Sequence, residues 1–232
     1  MGLKEDGEAS LHEIDRFDDG VGWIAYPGET MERASHALAV PNEEGDADDV
    51  WVIDPLDAPG LDELLAEFGS VAGVVVGLDR HKRDAAEVAT RHDVPVYVPE
   101  WMTGVADAID APVRRFGRRL ADSGFETIRI RDSSLPPWQE VGLFDGETLV
   151  VPESLGSAAY FRGDRERLGV HPMLRLTPPR AALGGLEPDR VLVGHGVGVH
   201  DDAPAAIEAA LNGSRSKAPG LYAKTLRTAI GL

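Results

Sequence analysis

The stretch from Val74 to Ala89 constrains this chain more than any other. An apolar run, Val74-Val75-Val76-Gly77-Leu78, meets a polar turn, Asp79-Arg80-His81-Lys82-Arg83-Asp84, and then a helical run, Ala85-Ala86-Glu87-Val88-Ala89. Four of the turn residues, Asp79, His81, Arg83 and Asp84, can point at a single spot at the end of a buried strand. A distant segment repeats the plan: Arg190-Val191-Leu192-Val193 is an apolar strand that ends on Gly194-His195-Gly196. Strand ends carrying imidazole and carboxylate groups supply the donors from which metal hydrolases build a site.

The surrounding pattern alternates strand and helix. Val50-Trp51-Val52-Ile53 reads as a buried strand halted by Asp54-Pro55, and Leu61, Leu64, Leu65 and Phe68 recur at helical spacing. A strand over residues 71–78, a helix over 85–91 and a strand over 94–98 follow, which predicts an α/β domain. Upstream, residues 15–40 read as two short strands, followed by a solvated acidic turn over 42–49. Thr127 to Arg131 alternates as a half-exposed strand. Asp145-Gly146 between two apolar runs predicts a hairpin with a type I′ turn. Asp201-Asp202 cap a last helix over residues 203–211, and the remainder to Leu232 reads as a tail with room for a short helix.

A chain of 232 residues with 43% hydrophobic content can bury a large core, and one domain is expected, with its core over about 15–211 and a tail over 212–232. No apolar run approaches the roughly 20 residues needed to cross a bilayer. The N-terminal residues carry no basic-then-apolar signal, so a cytoplasmic location is expected. There is no Cys, so disulfides and thiolate ligands are excluded and any metal must be held by His and carboxylates. Acidic residues number 40 against 23 basic ones, only four of them Lys (Lys4, Lys82, Lys217 and Lys224), giving a net charge of −17. Such a surface suits the salt-adapted cytoplasm of a halophilic archaeon and disfavours nucleic acid as a partner. The cluster Arg114-Arg115-Phe116-Gly117-Arg118-Arg119 reads as surface arginines offsetting the acidic excess.

Taken in order, Ile53-Asp54, Asp79-x-His81-x-Arg83-Asp84, Glu153 and Gly194-His195-Gly196 resemble the metallo-β-lactamase superfamily. Its signature is His-x-His-x-Asp-His after a strand and a late Gly-His-Gly. The resemblance implies an αββα sandwich, two mixed β-sheets with helices on the outer faces. It also implies a residue at each site position. Asp79 stands for the first His of the motif, His81 keeps its identity, Arg83 stands for the Asp and Asp84 for the last His. Trp138 falls where a third His is expected, Glu153 where a bridging Asp is expected, and His195 matches directly. Asp54 takes the place of a carboxylate that braces the metal loop.

Arg83 and Trp138 have no lone pair to give a cation. The usual dinuclear site is therefore expected to be degraded, with Arg83 paired to Asp84 or Glu153 in place of a metal. Dinuclear hydrolase activity is not expected, and whether the chain is an enzyme stays open. One alternative is a single Zn, Mn or Fe ion among Asp79, His81, Asp84, Glu153 and His195, with His81, Asp84 and His195 as catalytic groups. Such a centre would use water to hydrolyse a small ester, phosphodiester or lactam. A second alternative is a ligand-binding or structural protein. His171 reads first as a loop residue, with the pocket mouth or a place behind the ligands as its position if it serves the site, and Tyr160-Phe161 nearby would supply an aromatic wall. An unidentified small molecule is the expected partner.

Overall fold

The computed structural model describes residues 7–42, 45 and 47–229, with side chains to residue 223. Most of the N-terminal segment read above, part of the acidic turn and the last three tail residues lie outside the described residues. Seven strands form the first sheet in chain order: β1 (His12–Phe17), β2 (Gly20–Ile24), β3 (Ala34–Val40), β4 (Asp49–Ile53), β5 (Ser70–Val75), β6 (Val96–Pro99) and β7 (Val113–Phe116). Neighbours up to β4 are antiparallel and those from β4 onward are parallel. Parallel neighbours need a crossover. Helix α1 (Leu61–Ala66) makes it between β4 and β5, and α2 (Ala85–Arg91) between β5 and β6.

The second half of the chain supplies β8 (Glu126–Ser134), β9 (Pro137–Phe144), β10 (Thr148–Val151), a short ribbon of β11 (Leu155–Gly156) and β12 (Gly169–Val170), and β13 (Arg190–Val193). The second sheet runs in the order β13-β10-β9-β8, with only the β10–β13 pair parallel. Helices α3 (Arg180–Leu183) and α4 (Ala203–Ala229) complete the fold. Alternation along the strands divides the core. Val150, Leu192, Val141 and Leu143 join the core of the first sheet, where Leu61, Leu64, Leu65 and Val88 of α1 and α2 also pack. Leu149, Val151, Val191 and Val193 pack instead with Ala206, Ile207, Ala210 and Leu211 of α4. The result is helix, sheet, sheet, helix.

Three local expectations change. Residues 12–40 form three strands, because Asp15 (φ 54°) sits in a register shift between Ile14 and Phe17 that hides the alternation of β1. The β9–β10 connection is a three-residue loop, Asp145 to Glu147. The Asp145 carboxylate accepts the Glu147 and Thr148 N–H groups there, and Gly146 has φ 104°. Helix α4 runs on to Ala229 through Gly213 and Pro219 instead of ending at Leu211. Tertiary contacts override those breakers. The Ser214 hydroxyl donates to Arg175 O, Arg180 donates to Leu211 O, and Ala218 and Leu221 are buried.

The site is positioned where the chain leaves the first sheet for the second. Past β5, Gly77 O accepts Val141 N–H at 2.9 Å, and Asp79 N–H donates to Gln139 O at 3.0 Å. Pro152, just past β10, wedges between the two motif strands. A Cβ on Gly77 would lie 2.6 Å from Pro152 Cγ, and one on Gly194 would lie 2.1 Å from Pro152 O. Only glycine permits that approach, which draws Glu153, His81 and His195 together.

Candidate functional site

Glu153, delivered by the end of β10, is the hub. Its Oε2 lies 2.8 Å from His81 Nε2 and 2.9 Å from His195 Nε2. Its Oε1 lies 3.3 Å from His171 Nε2 and 3.7 Å from Arg80 Nη2. All four of Glu153, His81, His171 and His195 are buried. Among the described residues, His81, Glu153 and His195 are the one group of three whose donor atoms all lie within 4.8 Å of one another.

The second nitrogen of each ring fixes what the first can do. His195 Nδ1 is 2.9 Å from Met31 O, and a carbonyl only accepts, so Nδ1 carries the proton. His81 Nδ1 is 2.9 Å from Asp54 Oδ2, and Asp54 Oδ1 accepts Gly77 N–H at 2.8 Å. In their neutral forms both rings therefore present an Nε2 lone pair to the same carboxylate oxygen. Three acceptors meeting at one point require a shared cation, either protons or a metal. His171 is wired the other way. Its Nδ1 accepts Met173 N–H at 3.2 Å, so its Nε2 carries the proton, 3.3 Å from Glu153 Oε1.

Burial acts on each group. It is the largest effect on His195 and lowers its pKa despite the Glu153 hydrogen bond. Burial likewise holds His171 down to about 4, against the pull of the Glu153 charge. At Glu153 burial opposes ionisation, but hydrogen bonds and charge from His195 and His81 outweigh it and keep the carboxyl well below the usual range.

A buried carboxylate supports the hub from beneath. Glu140 on β9 accepts the Glu153 and Ser154 N–H groups at 2.8 Å each, the Trp138 indole N–H at 2.8 Å and the Ser154 hydroxyl. Burial pushes its own pKa up despite these four donors. Ser154 is thus committed to Glu140. The sequence signal for this group is a carboxylate two residues after Trp138 within an apolar strand, and no motif contains it.

The structure sorts the remaining candidates by location. His81, Glu153 and His195 come together, with Asp54 behind His81. Asp79 is turned aside: its Oδ2 accepts Gln139 N–H at 3.2 Å and its Oδ1 lies 3.3 Å from Arg80. Asp84 accepts Asp57 N–H at 2.7 Å, ahead of α1. Arg83 does not form the expected pair with Asp84 or Glu153. Its Nη1 donates to Ala34 O at 2.6 Å and Asp54 O at 2.7 Å, and its Nη2 to Gly194 O at 3.3 Å. Three strand ends direct carbonyls at one place, and a guanidinium satisfies them where a carboxylate would repel them. That bonding also holds Arg83 at φ 42°, which non-glycine residues rarely adopt. Trp138 is fully buried and packs edge-on against His171, with ring centroids 5.0 Å apart. His171 lies inside the cluster, against Phe161 and Tyr160, and not merely at its mouth. Arg80, which no motif singled out, lies over the Trp138 ring at 4.0 Å.

The donor set fits a single divalent ion. Two imidazole nitrogens and one carboxylate form the ligand set of many catalytic zinc and non-haem iron sites. Asp54 and the Met31 carbonyl orient the rings as outer partners do in such sites.

No family model matches this chain, and no curated protein matches it. Solved structures do. A metallo-β-lactamase from Pontibacter korlensis superposes with a TM-score of 0.59 at 15% identity, over 89% of this chain and 99% of that one. The diflavin flavoprotein A 5 fragment from Nostoc sp. PCC 7120 gives 0.61 at 14% identity, over 91% and 99%. TTHA1623, solved in a di-iron-bound form, gives 0.50 at 22% identity, over 74% and 92%. Two mixed sheets flanked by helices, and these likenesses, establish that the chain has the metallo-β-lactamase fold.

Proposed function

We propose that this chain holds one divalent ion on His81, Glu153 and His195 and serves as a mononuclear hydrolase, the dinuclear centre implied by the sequence resemblance being lost. One observation carries the reading: two Nε2 lone pairs, each fixed by an acceptor at Nδ1, converge on one carboxylate oxygen. A bound ion would supply Lewis acidity for water-dependent cleavage of a small ester, phosphodiester or lactam. The chain's own residues do the rest. Asp54 and Met31 O orient the imidazoles, Glu140 fixes the Glu153 backbone, and His171 Nε2 lies 3.3 Å from the carboxylate's other oxygen. Arg83 places a fixed positive charge where the resemblance puts a second ion. The net charge of −17 fits a cytoplasm rich in salt and a small-molecule partner in preference to nucleic acid.

A second reading is favoured by Arg80 and Arg83. Two guanidinium groups beside the cluster supply positive charge without a metal, and protonated imidazoles would then satisfy Glu153. The chain would be a ligand-binding or structural protein. Elemental analysis of protein purified in high salt without chelator separates the two. About one Zn, Mn or Fe per chain, absent from the His81→Ala/His195→Ala variant, is the expected result. No stoichiometric metal, even after Zn²⁺ and Mn²⁺ are added, overturns the single-ion reading in favour of the second.

A further inference from the structure

We infer that Arg80 sets the specificity of this site and selects a small organic anion with an apolar body. The inference deepens the single-ion reading and rests on it. Glu153 and the three histidines around it are buried, whereas the Arg80 side chain is 41% exposed. Arg80 thus joins solvent to the cluster. Its guanidinium lies 4.0 Å over the buried Trp138 ring, which fixes its plane and leaves its edge available.

The current partners of that edge are replaceable. Nη1 lies 3.3 Å from Asp79 Oδ1, a long contact, and Nη2 lies 3.7 Å from Glu153 Oε1, beyond hydrogen-bond reach. A divalent ion on Glu153 would take up that carboxylate's charge and release Nη2. The fork then matches the two oxygens of a carboxylate or phosphate. Lys82 follows in the same turn, its Nζ 3.3 Å from Asp79 O, and with Asp79 and Asp84 included residues 79–84 carry a small net positive charge in a strongly acidic protein.

The flanking segments add the apolar part. Met173, two residues after His171, and Val197, two after His195, are among the few large hydrophobic side chains left exposed. Tyr160 packs edge-on to His171 with centroids 6.0 Å apart. That half-buried aromatic ring against the cluster suits a molecule with an anionic head and a short hydrocarbon body.

Calorimetric titration at fixed salt with hexanoate, hexyl phosphate and hexanamide tests the inference, with metal content measured on every sample. The wild type is expected to bind at least one of the two anions tenfold or more tightly than hexanamide, and the tighter anion identifies the head group. Arg80→Leu keeps an apolar stem over Trp138 and should lose that preference while keeping wild-type metal content. Arg80→Lys should retain part of it. Equal binding of hexanamide, binding of neither anion, or an unchanged preference in Arg80→Leu would overturn the inference. Metal content reports on the single-ion reading separately, so failure of one is not mistaken for failure of the other.

Discussion

Alanine at Gly194 should destabilise this protein strongly, while the same change at Gly220 should stabilise it. The new Cβ at Gly194 would sit 2.1 Å from Pro152 O and 3.0 Å from Pro152 C. Both are backbone atoms at the end of β10, so no side chain can rotate away. Clearing the contact requires roughly 1 Å of separation between the ends of β10 and β13, and overpacking of that kind costs about 1–3 kcal/mol. The Gly194 N–H bond to Val151 O (3.1 Å) and the Ala34 N–H bond to Gly194 O (2.9 Å) stretch with it. Each such bond is worth about 0.5–1.5 kcal/mol net. A loss of about 3 kcal/mol is expected, which for a chain of this size lowers Tm by about 6–12 °C. Gly220 lies within α4 with nothing inside 4 Å, so its replacement should add about 0.5–1 kcal/mol of stability. Urea unfolding at constant salt, with m-values compared, gives both numbers. A Gly194→Ala protein within 0.5 kcal/mol of wild type would refute the claim that this contact draws Glu153 and His195 together.

Two further expectations concern buried charge. Arg175 and Glu166 form a pair almost fully removed from solvent, at 2.6 Å, and Arg175→Met should cost about 3 kcal/mol by leaving the carboxylate with only Lys217 Nζ at 3.5 Å and the Gly163 N–H. Burial raises the Glu166 pKa but its Arg175 bonds prevail and depress it. The stabilisation is therefore complete above the unfolded carboxyl pKa, about 4.3, and is lost as pH falls through the lower folded value. Unfolding free energies from pH 5 to pH 2 should fall less steeply in Arg175→Met, and equal slopes would sink the argument. Arg83→Met removes charged hydrogen bonds worth about 1.5–3 kcal/mol each, which do not simply add. It should lower the urea midpoint well beyond the effect of Arg118→Met, a substitution of an exposed side chain in the loop before β8. Similar midpoints for the two would show that the Arg83 guanidinium is dispensable.

Much of the fold was legible locally. Unbroken apolar runs at Val50–Ile53 and Val191–Val193 report strands buried on both faces, and Leu61, Leu64 and Leu65 report one helix face through a period of 3.6. The bulge at Asp15 was illegible because one inserted residue inverts the period. The length of α4 was equally hidden, since its breakers are outweighed by partners at Arg175 and Arg180, far away in sequence. The chain by itself determined the alternation of strands and helices and put His81 and His195 at strand ends, because periodicity and turn chemistry are local properties. The αββα layering and the place of Glu153 followed from the resemblance of its ordered motifs. The tertiary structure alone decided which groups meet. It turned Asp79 to Gln139, Asp84 to the backbone of Asp57 and Arg83 to three carbonyls, and it drew His171 into the cluster. It also set the proton positions on the imidazoles, because a ring nitrogen's role depends on the group it faces across space.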